Sequence, residues 1–156
     1  MLPQVDWANS KNIPVIVMNP NHRETAGTRI PQFTSMDKHC NFIWRHYVEP
    51  AGFGNLLVIA HSAGGGCVTS LMREFGKSFT SKVKHLAYTD SRVSAPGNVT
   101  VAEKKRNVKF LANHAVHYRA SQEPLGTKLY QADCLEVSAG HFKHEYTTGT
   151  AWPMIK

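Results

Sequence analysis

The feature that most constrains this chain is an apolar run that ends at a serine and is followed by three glycines. The run covers residues 56–60, five apolar residues, which is about the length of a strand buried on both faces. Ser62 and the glycines at 64–66 come next, and residues 67–75 have the pattern of a helix. The stretch therefore predicts a central strand, a tight turn that carries a serine, and a helix.

The residues around Ser62 match a nucleophile elbow. In that motif the serine has a strained backbone, so the residues two positions before and after it must be small. Here those positions hold Ala60 and Gly64, and the pattern A-x-S-x-G differs by one methyl group from G-x-S-x-G. A helix that begins just after Ser62 would direct free N–H groups toward a reacting oxygen. The alternative is a glycine-rich turn with an incidental serine, but strand, small residues and helix together favour the elbow.

Strand patterns and helix patterns alternate along the rest of the chain. In chain order they are a strand at 13–18, a helix at 36–48 capped by Ser35, a strand at 82–90, a helix at 101–114, and strands at 115–121 and 134–139. Residues 21–32 and 125–133 have loop composition. This alternation predicts an α/β fold, a mostly parallel sheet with helices on both faces, in one domain over residues 1–156.

Polar residues follow several of the predicted strands and form a candidate catalytic set. Ser62, Asp90, Glu123 and the turn at 140–145 all come at carboxyl ends of strands, which meet at one edge of a parallel sheet. Their order of nucleophile, acid and histidine is that of the α/β-hydrolases. Acyl transfer needs a hydroxyl, an imidazole that takes its proton and a carboxylate that orients the ring. The sequence thus predicts a serine–histidine–acid site at this edge.

Two positions in this set stay open at the level of the residues. The acid is either Asp90 or Glu123, although Asp90 could instead cap a turn and Glu123 could be a loop charge. The histidine is either His141 or His144. His61 is interpreted as structural and pointing elsewhere, because it occupies the turn itself.

Composition limits the other classes of function. The chain has 18 Lys and Arg against 11 Asp and Glu, so it is basic, but scattered charge permits nucleic-acid binding without showing it. The group Lys104-Lys105-Arg106 with Lys109 is either a solvated helix face or a nuclear-import signal. No apolar run of membrane length and no secretory signal is present, and three widely spaced cysteines favour reduced thiols. Paired histidines without a C-x-x-C do not predict zinc, and no cofactor is expected.

Several segments resemble the argonaute-binding-protein-two-like domain, which occurs in the vertebrate cotranscriptional regulator family and in a fission-yeast argonaute chaperone subunit. The segments are residues 15–21, 58–65, 89–91, 121–125 and 137–140, followed by His144-Glu145. They cover nearly the whole chain in the same order. In that pattern the histidine precedes a glutamate, which favours His144 over His141.

The resemblance implies an α/β-hydrolase-like fold and a nuclear role, compatible with a cytoplasmic one as well. It also implies action in RNA silencing, chromatin regulation or alternative splicing through argonaute or chromatin proteins, with at most weak or indirect contact to nucleic acid. No membrane association is implied. The resemblance therefore favours a protein that regulates through protein partners.

The chain also departs from the family pattern. Related domains carry further strands and a His-Gly-type oxyanion loop before the strand at 13–18, and a long charged insertion where this chain has residues 21–34. We therefore expect an N-terminally truncated, partial domain without an inner strand. Residues 13–18 would pair directly with residues 56–60, or the backbone hydrogen-bonding groups along one edge of each strand would stay exposed. A non-enzymatic regulator is favoured over a serine hydrolase, with weak or no esterase activity.

Overall fold

A five-stranded sheet organises the computed structural model, which describes residues 2–22 and 24–156. The strands in chain order are β1 (Glu24–Thr25), β2 (Thr28–Arg29), β3 (Leu56–His61), β4 (Val83–Thr89), β5 (Ala115–Arg119), β6 (Lys128–Gln131) and β7 (Leu135–Ser138). Strands β1 and β2 form a small separate hairpin, and the main sheet has the order β3-β4-β5-β7-β6. Its first four strands are parallel and β6 is antiparallel. The predicted mostly parallel sheet is confirmed.

Helices cover both faces of this sheet, as predicted. They are α1 (Leu2–Ser10), α2 (Met36–Ile43), α3 (Gly64–Lys82), α4 (Val101–His114) and α5 (Thr147–Ile155), with a wider helical turn at Trp44–Val48. One core cluster joins α2, α3 and α4 to the face that carries Leu86 and Tyr88. A second cluster packs Ala151 of α5 against the face that carries Ala87 and Tyr118. Adjacent residues of β4 point to opposite faces, so this strand serves both cores.

Local signals in the sequence fix the starts of two helices. Ser35 accepts a hydrogen bond from the Lys38 N–H and caps α2, which confirms the predicted cap. Thr100 and Glu103 form a reciprocal capping box at the start of α4, whose bounds are those predicted. Within the described residues, no helix combines the length and apolar character that crossing a bilayer requires.

The predicted strand at residues 13–18 is wrong. This segment has no regular structure, and Ile13, Val15, Ile16 and Val17 are 44–55% exposed. Apolar β-branched residues form a strand only where a neighbouring strand takes up their backbone groups. Within the described chain none pairs with this segment.

The predicted central, doubly buried position of residues 56–60 is also wrong. Strand β3 lies at one edge of the described sheet and pairs only with β4, and Leu57 is 40% exposed. The apolar run therefore predicted the strand but not its place. Two outcomes were expected for residues 13–18 and 56–60: direct pairing, or backbone groups left without a neighbouring strand. In the described chain the two segments are not paired with each other.

Three further elements differ from the predictions. Helix α2 gives way to the wider turn at Trp44 instead of continuing as an α-helix to Val48. The loop predicted at 125–133 contains β6, whose alternation is too short to be recognised without its partner β7. The loop predicted at 21–32 contains the hairpin of β1 and β2.

Candidate active site

Ser62 lies on a tight turn between β3 and α3, which we call the serine turn (residues 61–64). Its backbone has φ 54°, in the left-handed region that costs a non-glycine residue about 1–2 kcal/mol. The Ser62 N–H donates to the Thr89 carbonyl at 3.2 Å, which holds the turn against the end of β4. The predicted strained strand–turn–helix arrangement is confirmed.

The glycines after Ser62 are required to different degrees. A Cβ on Gly65 would lie 2.0 Å from the Arg92 carbonyl oxygen and 2.5 Å from the Ser91 hydroxyl, so only glycine fits. A Cβ on Gly64 would make an ordinary 3.6 Å contact with the Ala60 Cβ. The backbone of α3 thus begins in close contact with the segment that follows β4.

Asp90 and His144 form the hydrogen-bonded acid–histidine pair of the site. The His144 Nδ1 lies 2.6 Å from the Asp90 Oδ2, and the Ala120 N–H donates to the Asp90 Oδ1 at 3.1 Å. Asp90 follows β4 directly and has φ 43°, while His144 comes from the turn after β7. Strands β4, β5 and β7 therefore converge on this pair at their carboxyl ends, as the sequence predicted for the edge.

The environment of Asp90 favours its charged form. Burial raises the pKa of this carboxyl, but hydrogen bonds from His144 and Ala120 and the charges of nearby histidines outweigh it. The pKa of Asp90 therefore lies below its ordinary value. A carboxylate so placed orients the imidazole and stabilises it when it carries a second proton.

His61 lies against His144 rather than pointing elsewhere, which corrects the sequence interpretation. The two ring centroids are 4.5 Å apart and the planes are tilted by 36°. The His61 Nδ1 lies 3.0 Å from the Thr89 carbonyl oxygen. Burial, followed by the charge of His144, lowers the pKa of His61, so the ring is held neutral beside its partner. The only sequence signal was its position at the exposed end of β3.

The structure distinguishes the alternative residues by position. Glu123 is exposed, and its hydrogen bonds are through its backbone, to Ser121 and Ser138. His141 accepts a hydrogen bond from the Lys143 N–H at 3.0 Å and stacks on Phe142. Asp90 and His144 are thus brought together, and Glu123 and His141 lie outside the pair.

The serine turn lies beside this pair, because His61 packs on His144 and the Ser62 N–H donates to Thr89, the residue before Asp90. The Ser62 hydroxyl is not engaged with the pair. Within residues 2–22 and 24–156, the hydrogen bonds of Ser62 involve its backbone alone. Two surface cavities, of about 340 and 170 Å³, are lined by residues other than Ser62, Asp90 and His144. The arrangement pairs a histidine with a carboxylate next to the serine turn, and a pair of this kind can transfer protons.

The chain matches a known family over most of its length. The family model described as the Arb2 domain matches residues 1–125. The cotranscriptional regulator ARB2A of Mus musculus is 32% identical over 124 residues, which are 78% of this chain and 29% of that protein. Its homolog in Gallus gallus is 30% identical over 141 residues, 88% of this chain and 33% of that protein. A FAM172 family protein homolog of Caenorhabditis elegans is 24% identical over 152 residues, 96% of this chain and 47% of that protein.

These similarities cover only part of the relatives. The chain spans about a third of the length of the mouse and chicken proteins. No solved structure matches it. The relationship to the family thus rests on sequence similarity alone.

Proposed function

The chain belongs to the Arb2 domain family, and on that premise we propose that it is a regulatory protein that acts in the nucleus through protein partners. The names of its relatives describe cotranscriptional regulators. Argonaute and chromatin proteins are the partner classes that we propose, with RNA silencing, chromatin regulation or splicing as the processes. In this proposal the hydrolase-like arrangement serves as a scaffold rather than as an efficient enzyme.

The observation that carries the proposal is a one-sided distribution of charge. Residues 75–119 hold nine of the 18 lysines and arginines but two of the 11 carboxylates, so the whole excess of +7 lies in this part of the chain. One of those carboxylates, Glu103, is bound in the capping box of α4, and the other, Asp90, is bound to His144. Glu103 lies near Arg106 and Lys77 and offsets part of their charge. The nine cations still outnumber the two carboxylates, so this region is positive.

The basic side chains of α3 and α4 form a common surface, the basic face (Lys77, Lys105, Arg106 and Lys109). Lys77, Lys105 and Lys109 are exposed. Arg106 reaches across to α3, since a Cβ on Gly76 would lie 2.9 Å from its Nη2. A face of this sign, on packed helices away from the serine turn, suits the acidic surface of a protein partner.

Charge reversal tests the proposal. We expect Lys105→Glu with Lys109→Glu to weaken binding to argonaute or chromatin proteins about tenfold or more, because each reversal replaces attraction by repulsion. Lys38→Glu with Lys128→Glu is the matched control, since both lysines are exposed elsewhere on the protein. Ser62→Ala should bind like wild type. Equal loss in both double variants, loss of binding in Ser62→Ala, or preference for RNA over protein would each contradict the proposal.

A serine hydrolase of the esterase type is a second candidate, favoured by the Asp90–His144 pair. The His144 Nδ1 and the Asp90 Oδ2 are 2.6 Å apart, and Ser62 lies on a strained turn nearby. Acyl transfer uses a histidine–carboxylate pair and a serine of these kinds. The Gly65 N–H is bound to Ser91, so it is not free for an oxyanion. The N–H of Ala63, directly after the serine, is then the donor that the turn offers. Because one missing oxyanion donor costs about 10²–10³ in rate, we expect weak turnover.

A short-chain ester and a fluorophosphonate probe test this candidate. If the site is active, Asp90→Asn and His144→Gln should each abolish the Ser62-dependent signal, while Glu123→Gln should leave it unchanged. Ser81→Ala, on an exposed serine of α3, is the control for Ser62→Ala. Labelling that persists in Ser62→Ala would eliminate the candidate.

A further inference from the structure

His117 is a buried titratable residue near the serine turn that the Asp90–His144 pair does not use. It lies on β5 and is 8% exposed. Its Nδ1 is 2.9 Å from the Glu136 Oε2 on β7, and its Nε2 accepts a hydrogen bond from the Ser91 N–H at 3.2 Å. Since a backbone N–H can only donate, Nε2 carries no proton, and the ring is neutral with its proton on Nδ1.

Ser91 connects His117 to the serine turn. The Ser91 hydroxyl donates a short hydrogen bond to the Ser62 carbonyl and accepts one from the Gly65 N–H at 3.0 Å. Ser91 also follows Asp90 directly in the chain. Ser91 thus joins Ser62 in the turn and Gly65 just after it to the strand end that carries the acid.

We propose that His117, oriented by Glu136 and acting through Ser91, is a positioning residue that holds the serine turn in register with the Asp90–His144 pair, and that protonation of its Nε2 releases the turn. The positional part stands without any catalytic role for Ser62. Its consequence for reactivity rests on the hydrolase candidate proposed above.

The proton sensitivity follows from the direction of each hydrogen bond. A proton on the His117 Nε2 converts an acceptor into a donor that faces the Ser91 N–H, so the contact is lost. Ser91 is then free to shift, and both hydrogen bonds of its hydroxyl shift with it.

Besides the Ser91 N–H, three groups lie around His117, and a fourth is bound to one of them. Glu136 lies at 2.9 Å and is itself bound to Arg119 at 3.0 Å. Asp90 interacts with the charge of His117, and the Cys134 thiol hydrogen-bonds to its backbone. Glu136 is the charged side chain in direct contact with the ring, so it is the residue through which the response can be tested.

The test is ¹⁵N NMR on the whole 156-residue chain, titrated with acid. The His117 ring should show one protonated and one unprotonated nitrogen at neutral pH. As the ring takes up its second proton, hydrogen-exchange protection of the Ser91 and Gly65 amides should fall at least tenfold. The Leu111 amide, in a fully buried residue, should stay protected and so exclude general unfolding. A charged ring at neutral pH, or unchanged protection at Ser91 and Gly65 through the titration, would overturn the proposal.

Two variants and a control sharpen this test. His117→Gln offers a carbonyl to the Ser91 N–H and does not titrate, so protection should be flat over the same pH range. His85→Gln, an exposed histidine of β4, should behave like wild type. Glu136→Gln keeps an acceptor for Nδ1 but removes the charge, so the loss of protection should move to lower pH. If His117→Gln does not fold, the comparison of wild type with Glu136→Gln still tests the proposal. Amide protection that is lost at the same pH in both proteins would count against it.

Fluorophosphonate labelling of Ser62 separates this inference from the hydrolase candidate. If Ser62 reacts, its rate should fall with His117 protonation in wild type. His117→Gln should lack that contribution and keep only the pH dependence of the His144 base. An identical profile in the two proteins would refute the positioning role. If Ser62 never reacts, the hydrolase candidate fails, while the NMR measurement still decides whether His117 positions the turn.

Discussion

Gly65 and Gly66 are adjacent in the first turn of α3, and replacing each by alanine is expected to change the free energy of unfolding in opposite directions. A Cβ on Gly65 would lie 2.0 Å from the Arg92 carbonyl oxygen, whereas ordinary contacts begin at 3.4 Å. The backbone must therefore move by more than 1 Å, and such a movement breaks the hydrogen bond from the Gly65 N–H to Ser91. A Cβ on Gly66 would meet nothing within 4 Å.

The magnitudes follow from these contacts. Forcing an extra methyl into packed structure costs about 1–3 kcal/mol, and each lost hydrogen bond about 1 kcal/mol. Alanine recovers up to about 1 kcal/mol through its helix propensity. We therefore expect Gly65→Ala to lower the free energy of unfolding by about 1–3 kcal/mol. Gly66→Ala should raise it by about 0.4–1 kcal/mol, because it restricts only the unfolded chain.

Urea and thermal unfolding of the two variants measure this difference. For a domain of this size about 1 kcal/mol corresponds to 2–4 °C, so Gly65→Ala should melt about 2–12 °C lower and Gly66→Ala about 1–4 °C higher. Gly66→Ala also serves as the control for helix propensity. A Gly65→Ala protein with the wild-type midpoint, or a Gly66→Ala protein that falls equally, would refute the close approach of α3 to residues 91–92.

Two further predictions concern pH and helix capping. The pKa of His61 is lowered mainly by burial, so the unfolded chain takes up its proton first and the free energy of unfolding should fall as pH drops below about 6.5. The pKa of Asp90 is lowered by its hydrogen bonds to His144 and Ala120 against the effect of burial, so its contribution should be lost below about pH 3.9. Urea titrations at a series of pH values measure the free energy of unfolding. His61→Gln should reduce its pH dependence below about 6.5, and Asp90→Asn should reduce it below about 3.9. A pH dependence that matches wild type in either variant would contradict the assignment. Thr100→Ala removes the capping box of α4 and should cost about 0.5–2 kcal/mol, measured by urea unfolding against Thr127→Ala at an exposed loop position.

Local patterns in the sequence determined the elements near the site. The apolar run at 56–60, the small residues around Ser62 and the apolar positions of residues 101–114 predicted β3, the serine turn and α4. The paired histidine and carboxylate were also among the predicted residues. These features depend on side-chain size and spacing along a few turns of chain, and such information is present in the sequence itself.

Only the tertiary structure decided how these elements combine. The choice of Asp90 over Glu123 depends on which strand ends lie beside the turn that carries His144. Strand order is set by pairing between distant segments, so no single segment of the sequence reveals it. The exposure of residues 13–18 and the edge position of β3 likewise depend on whether a neighbouring strand is present. His117 and Ser91 are ordinary residues in the sequence. They form a hydrogen-bonded chain to the serine turn because the parallel pairing of β5 with β7 places His117 opposite Glu136, and Ser91, just beyond the end of β4, donates its N–H to the same imidazole.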